Sequence, residues 1–270
     1  MTDITSPRNP RVARARKLRR RSSRDREGAF LAEGPKAVLE ALATGSPIEE
    51  IFVSDEAPRE VEEKARAAGI KVLRVTDDVV SSLSDTATPQ GVVAVVQMRS
   101  LELGDLPDDA DLVIVLADVR DPGNAGTILR SALAAGADAA VFASGSVDPY
   151  HPKTVRAGAG ALFRLPVSRG IDLADALSVL KGAGFSLLGA EASAQVPYTD
   201  VDMTGKLALV LGNEAWGLPS EAPAAIDLFV SIPMPGAVES LNVGIAGALL
   251  LFEAVRQREA EASEPRRAKR

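Results

Sequence analysis

The sequence predicts an α/β protein in two parts: a small N-terminal α/β unit and a larger C-terminal one built on a parallel sheet. Three observations carry that reading. Apolar runs of strand length alternate with helical segments on both sides of residues 99–110, the pattern of layered α/β architecture. Beyond residue 110 the runs are continuously apolar rather than alternating, as in strands covered on both faces. The stretch 99–110 is acidic, holds Gly104 and Pro107, and keeps no period; it reads as a linker.

A chain of 270 residues with 46% hydrophobic and 25% charged content can bury a full core. It has no cysteine, which excludes disulfides, thiolate metal sites and cysteine nucleophiles. The first residues are charged but no apolar h-region follows, so no secretory signal is read there. The longest apolar run, around 243–252, is about half a membrane span. A cytoplasmic protein without membrane attachment is expected.

Taken in order, residues 1–27 form a basic arm. Ten Arg and Lys stand there against Asp3, Asp25 and Glu27, a net +7 that leaves −13 on the remainder of a chain of net charge −6. Such asymmetry suits an RNA- or DNA-engaging element and equally a solvated, partly disordered tail. The tail over 261–270, with Arg266, Arg267, Lys269 and Arg270, is a weaker version. The N-terminal unit is expected over 28–98. A segment from Phe30 leads into a helix with Pro35 in its first turn; strands follow at 48–53, 70–75 and 92–96, and helices at 58–68 and 77–83. The polar loop 84–91 reads as a surface turn, with ligand contact as the alternative.

The C-terminal unit, 111–260, should hold strands at 112–117, 139–143, 185–189, 207–211 and 228–232, covered by helices near 124–136, 172–181 and 240–257. In open α/β sheets ligands lie beyond the carboxyl ends of strands. Three strand ends carry unusual loops, at 118–130, 211–218 and 232–243, each placing Gly beside Asn, Glu or Ser. The last one leaves the sheet at Pro233, Pro235 and Gly236, because proline lacks the ladder donor. Ser240 then offers an N-cap to a buried apolar helix, and Ser240 and Asn242 mark its mouth, where backbone N–H groups can hold a small molecule. Dinucleotide and P-loop signatures are missing; Gly-Ala-Gly-Ala at 158–161 is not G-x-G-x-x-G. His151, the sole histidine, reads as a surface loop residue rather than a base.

Together the loops Asp121-Pro-Gly-Asn-Ala-Gly-Thr-Ile-Leu-Arg130, Leu211-Gly-Asn-Glu-Ala-Trp-Gly217 and Ile232-Pro-Met-Pro-Gly236 with Ser240-Leu-Asn-Val243 resemble a known set. They are similar to the three signature motifs of the SpoU (TrmH-type) RNA ribose methyltransferases, in the SPOUT superfamily. Phe30-Leu-Ala-Glu-Gly-Pro-Lys36 resembles the start of that family's N-terminal substrate-binding domain. The resemblance implies S-adenosyl-L-methionine as cofactor, methyl transfer to a ribose 2′-hydroxyl of RNA, a homodimer and no metal. It also implies a trefoil-knotted parallel sheet, which generic topology rules would argue against. Ribosomal RNA is the expected substrate, given the separate N-terminal domain and the basic arm. Transfer RNA, and a non-catalytic RNA-binding or assembly protein that keeps the pocket, are the alternatives.

Through the resemblance, Leu211, Gly212, Asn213, Gly217, Ile232, Met234 and Leu241 hold the cofactor, largely by backbone, and Asn124, Arg130, Glu214, Ser240 and Asn242 form the catalytic set. A ribose hydroxyl is a poor nucleophile, so the protein must align it with the sulfonium methyl and stabilise the developing charge. Arg130 is assigned that electrostatic and phosphate-orienting role, since a guanidinium rarely gives up a proton. The bland alternative for it is a surface helix charge. Glu214 either accepts the proton or orders its loop. Asn124, at an expected N-cap, and Asn242 fix loops; Ser240 contacts substrate or caps the last helix. The serine familiar after Asn-Val is Gly244 here. Substrate RNA is assigned to Arg8, Arg11, Arg16, Lys17, Arg19, Arg20, Lys36, Lys153 and Arg156. Trp216 stands at a position expected to vary, with a dimer contact as one role.

Overall fold

The computed structural model describes residues 4–219, 222–238 and 240–263; the basic tail read at 266–270 lies outside them. In chain order the elements are α1 (Pro10–Lys17), α2 (Arg21–Glu27), β1 (Ala29–Glu33), α3 (Pro35–Ala43), β2 (Ile48–Val53), α4 (Arg59–Ala67), β3 (Val72–Arg74), α5 (Asp77–Leu83) and β4 (Val92–Gln97). They continue with β5 (Leu112–Leu116), α6 (Pro122–Ala134), β6 (Ala139–Ala143), α7 (Pro152–Ala157), β7 (Val167–Ile171), α8 (Leu173–Gly182), β8 (Ser186–Ala190), β9 (Val196–Pro197), β10 (Leu207–Leu211), β11 (Leu228–Ser231) and α9 (Val243–Ser263). The chain divides into two compact units, one of residues up to 99 with 148–164, the other of 100–147 with 165 onward.

In the first unit a four-stranded sheet runs β1-β4-β2-β3, antiparallel except for the β2–β3 pair. β1 is a strand where the sequence reading leads straight into a helix. Its residues are buried almost throughout, so the alternation that marks a half-exposed strand is absent. From residue 4 onward the basic arm is folded into two helices, where the sequence leaves a partly disordered tail open as one of two readings. Val12, Ala15 and Leu18 of α1 and its C-terminus are buried with Leu31, Phe52 and Leu83 in one apolar cluster; helical spacing puts three apolar residues on one face and the cations on the others. α2 ends on Gly28 in the left-handed conformation, φ +61°, a helix stop that glycine makes without strain.

Residues 148–164, which the sequence reading places within 111–260, pack with the first unit. Tyr150 and Val155 are buried there beside Phe30, Val38 and Val61. Arg24, fully buried, donates from Nε (2.9 Å) and Nη2 (2.6 Å) to Asp148 Oδ2. Its Nη1 serves the carbonyls of Leu18 and Arg19, each at 2.9 Å. A buried guanidinium needs this full set of acceptors.

The second unit is a parallel sheet in the order β7-β6-β5-β10-β8-β11-β9. β7 and β9 are missing from the sequence reading. The first is interrupted by Ser168, Arg169 and Gly170, and the second is two residues long. α9 packs against α6 and lies close to β10 at Gly247, where a Cβ would come within 2.7 Å of Leu211 Cδ1. The helix is not wholly buried as expected. Ile245, Leu249 and Phe252, spaced i, i+4, i+7, are 53%, 38% and 49% exposed. Among the described residues no helix is long and apolar enough to cross a membrane, and no three His, Asp or Glu come together as a metal site.

Candidate active site

β5, β10, β8 and β11 are consecutive parallel neighbours, so their carboxyl ends and the loops that follow share one edge of the sheet. A cavity of about 400 Å³ opens there. All seven residues expected at the cofactor line it: Leu211, Gly212, Asn213 and Gly217 after β10, and Ile232, Met234 and Leu241 after β11. Glu214 and Ser240 from the catalytic set line it too.

The β10 loop is shaped by backbone. Asn213 N–H donates to Gly217 O at 2.8 Å and Gly217 N–H returns to Asn213 O at 2.9 Å. The turn is so tight that a Cβ on Gly212 would overlap the Gly217 backbone and sit 2.6 Å from Leu218 N. Only glycine fits. The loop is also clasped to the end of β5: Asn213 Nδ2 donates to Asp118 O at 3.0 Å and Trp216 Nε1 to Asp118 Oδ2 at 2.9 Å. Arg120 Nε donates to Asp118 Oδ1 at 2.8 Å and its guanidinium lies 4.9 Å above the Trp216 ring. Asp118 makes these contacts at φ +64°, a left-handed conformation that Asp tolerates better than most residues.

The third joint centres on Asn124. Its Nδ2 donates to Glu214 Oε1, and its Oδ1 accepts from Asn242 Nδ2 at 2.8 Å. One amide therefore ties the loops after β5, β10 and β11 together. Two caps differ from expectation. Asp121, not Asn124, is the N-cap of α6, accepting from Asn124 N–H at 2.8 Å. Asn242, not Ser240, caps α9: its Oδ1 accepts from Gly244 N–H at 2.9 Å and Ile245 N–H at 3.3 Å. The helix starts three residues later than the sequence suggests, and Ser240 is left exposed on the cavity wall. Arg130 is exposed on α6 and is not part of the cavity lining.

The β8 end was missed by sequence reading. Ala190, Glu191, Ala192 and Ser193 line the cavity because β8 lies between β10 and β11; strand order is not written in a sequence without such a motif. Asp118 and Trp216 were missed as a pair for the same reason, standing 98 positions apart.

The residues expected at RNA fall into groups. Arg16, Lys17, Arg19 and Arg20 line a second cavity, within the first unit. Arg11 is held by Glu50 at 2.6 Å and Arg156 Nη1 lies 3.4 Å from Glu33 Oε2. Arg8, Lys36 and Lys153 are exposed. His151 is half-buried and caps α7, its Nδ1 accepting from Lys153 N–H at 3.2 Å. Burial first, and then the Arg24 charge, hold its pKa below the ordinary value.

Residues 111–252 match the model of the SpoU rRNA Methylase family, and residues 9–94 that of the MRM3-like substrate binding domain. The chain is 34% identical over 254 residues to the 23S rRNA (guanosine(2553)-2'-O)-methyltransferase RlmP of Bacillus subtilis, covering 93% of this chain and 98% of that one. It is 34% identical over 250 residues to a 23S rRNA (uridine(2479)-2'-O)-methyltransferase of Streptomyces viridochromogenes, covering 89% and 87%. The crystal structure of the SpoU methyltransferase AviRb from Streptomyces viridochromogenes, in complex with AdoMet, superposes with a TM-score of 0.86 at 32% identity, covering 94% of this chain and 99% of that one. Three loops joined at Asn124, two of them lining one cavity, and these matches over both units make the chain a member of the SpoU rRNA methylase family.

Proposed function

We propose that the protein is an S-adenosyl-L-methionine-dependent methyltransferase that modifies a ribose 2′-hydroxyl of ribosomal RNA, in the cytoplasm. The observation that carries this is the Asn124 joint, which ties the loop after β5 to the loops after β10 and β11 that line the cavity. The cavity suits the cofactor in size and chemistry. Leu211, Ile232, Leu241 and Val243 give apolar walls for an adenine, while the Gly212–Gly217 turn brings backbone N–H and C=O groups close. Glu191 and Glu214 supply carboxylates for a ligand that carries positive charge. Bound there, the cofactor supplies an already activated sulfonium methyl.

The chain's own part is alignment and charge. Glu214 keeps Oε1 on Asn124 and has Oε2 to take the hydroxyl proton, a general-base role. Arg130 orients the neighbouring phosphate and stabilises the oxygen as it becomes negative. Asn242 and Asn124 hold Glu214 in register. The exposed apolar stripe Ile245, Leu249 and Phe252 supports a homodimer built on α9, since contiguous apolar surface of this kind marks association sites. The insertion of β10 between β5 and β8, with α9 returning onto α6, is compatible with a knotted path for the C-terminal segment.

The reading is tested by incubating the protein with methyl-labelled cofactor and unmodified ribosomal RNA. Label is expected at a single nucleotide whose 3′ linkage resists alkaline cleavage. Intact cofactor binding without label in ribosomal RNA removes the assignment, and label in transfer RNA alone redirects it.

A further inference from the structure

Ten cations occupy residues 1–27, and ion pairing sorts them. Arg11, Arg14, Arg19, Arg21, Arg24 and Arg26 are each paired with a carboxylate, at 2.6 to 3.7 Å. Among the described residues Arg8, Arg16, Lys17 and Arg20 have no such pair. Three of those four, Arg16, Lys17 and Arg20, line one cavity of about 610 Å³ with Arg19, Asp85 and His151, all within the first compact unit.

The cavity is built rather than incidental. Buried Arg24 holds the end of α1 through the Leu18 and Arg19 carbonyls and the His151 turn through Asp148, so both walls hang on one guanidinium. Asp85, the third wall, has its backbone N–H on Glu33 at 3.2 Å and its carboxylate on Arg19 at 2.7 Å. Because His151 Nδ1 accepts from Lys153 N–H, its ring proton sits on Nε2 and remains a donor. Three unpaired cations converging on a recess are an anion site. A recess of this size takes more than a bare ion, and an imidazole edge offers a stacking surface for an unpaired base.

We propose that this cavity is a nucleotide-sized RNA subsite: Arg16, Lys17 and Arg20 hold a phosphodiester and the His151 side takes an unpaired base of the same strand. It rests on the ribosomal RNA reading above and adds a place where the substrate is held apart from the methyl-transfer cavity. The arm then acts at one defined recess, not as a diffuse polycation.

The test compares an Arg16→Ala/Lys17→Ala/Arg20→Ala variant with an Arg21→Ala/Arg26→Ala control that removes paired, exposed cations. An unmodified large-subunit ribosomal RNA transcript is the probe, with filter binding from 0.05 to 0.3 M salt. The triple variant is expected to bind on the order of 10-fold more weakly at 0.1 M salt and to flatten the log–log salt slope by about 1, as for one lost phosphate contact. KM for RNA should rise with kcat and cofactor affinity unchanged, which separates a lost subsite from a damaged fold. His151→Asn keeps an acceptor for Lys153 N–H and removes the ring; it should raise KM without changing the salt slope. A triple variant no weaker than the control overturns the subsite and leaves the methyltransferase reading standing. A wild-type chain that neither binds nor methylates the transcript overturns both.

Discussion

Asn242 donates its side-chain amide to Asn124 Oδ1 across 2.8 Å, although 118 positions separate the two residues. The same Asn242 side chain caps α9 through its Oδ1, so one residue both starts a helix and locks a joint. Substitutions can divide these jobs. Asn242→Asp keeps the capping oxygen but has no donor for Asn124, and should retain thermal stability while lowering the single-turnover rate. Asn242→Ala loses both, costing about 1 kcal/mol of stability for the cap and on the order of 100-fold in rate for the misplaced Glu214. Thermal melts and rapid-quench methylation read the two effects separately; equal rates for wild type and Asn242→Asp would sever the joint from catalysis.

Trp216 is the only tryptophan and lines the cavity proposed for the cofactor, with its indole N–H fixed on Asp118. Its fluorescence should change saturably on titration with S-adenosyl-L-methionine. Gly212→Ala should weaken that binding by more than about tenfold, or about 1.4 kcal/mol, since the added methyl displaces the Gly217 backbone. A Gly212→Ala chain with wild-type affinity contradicts the placement.

The α9 stripe predicts oligomeric state. Leu249→Asp/Phe252→Asp should convert a dimer to a monomer in light scattering, with both side chains already exposed in the single chain and hence little loss of fold. Wild-type chain that scatters as a monomer at micromolar concentration removes the dimer reading.

Arg24 and Asp148 are both fully buried and bonded to each other. Asp148→Ala strands a buried guanidinium and should cost about 3–5 kcal/mol in urea unfolding. Glu253→Gln, on a carboxylate paired instead with exposed Arg256, should cost far less.

The pH dependence follows from His151, whose pKa is lowered in the folded chain by burial first and by Arg24 next. The unfolded chain, with an ordinary His value near 6.5, binds the proton more readily. Stability should therefore fall as pH drops below about 6.5 and toward the depressed folded value. Glu62, held low by its hydrogen bond to Arg74, gives up its contribution only as pH falls below about 4.5, a separate window. Melts between pH 7.5 and 5 should slope in wild type and flatten in His151→Asn.

Much of the architecture was legible beforehand because it rests on local signals. The run 207–211 is apolar at every position and is β10; Pro35 and Gly69 bracket helices where they stand in the sequence. β7 escaped notice because Arg169 and Gly170 interrupt its apolar pattern. The caps went to the wrong side chains, Asn124 for Asp121 and Ser240 for Asn242, since neighbouring polar residues are equally good cap formers and only helix register separates them.

By itself the sequence determined most of the strands and helices and the three motif loops, which follow from residue type and near neighbours, and the resemblance of those loops to a known family pointed to the seven cavity residues after β10 and β11. Tertiary structure alone decided that β8 lies between β10 and β11 and adds Glu191 to the wall. It also decided that six arm cations are neutralised while three converge on His151's recess. Pairing of charges and strands depends on distances between segments up to 147 positions apart, which burial and chain closure fix together and which no local pattern records.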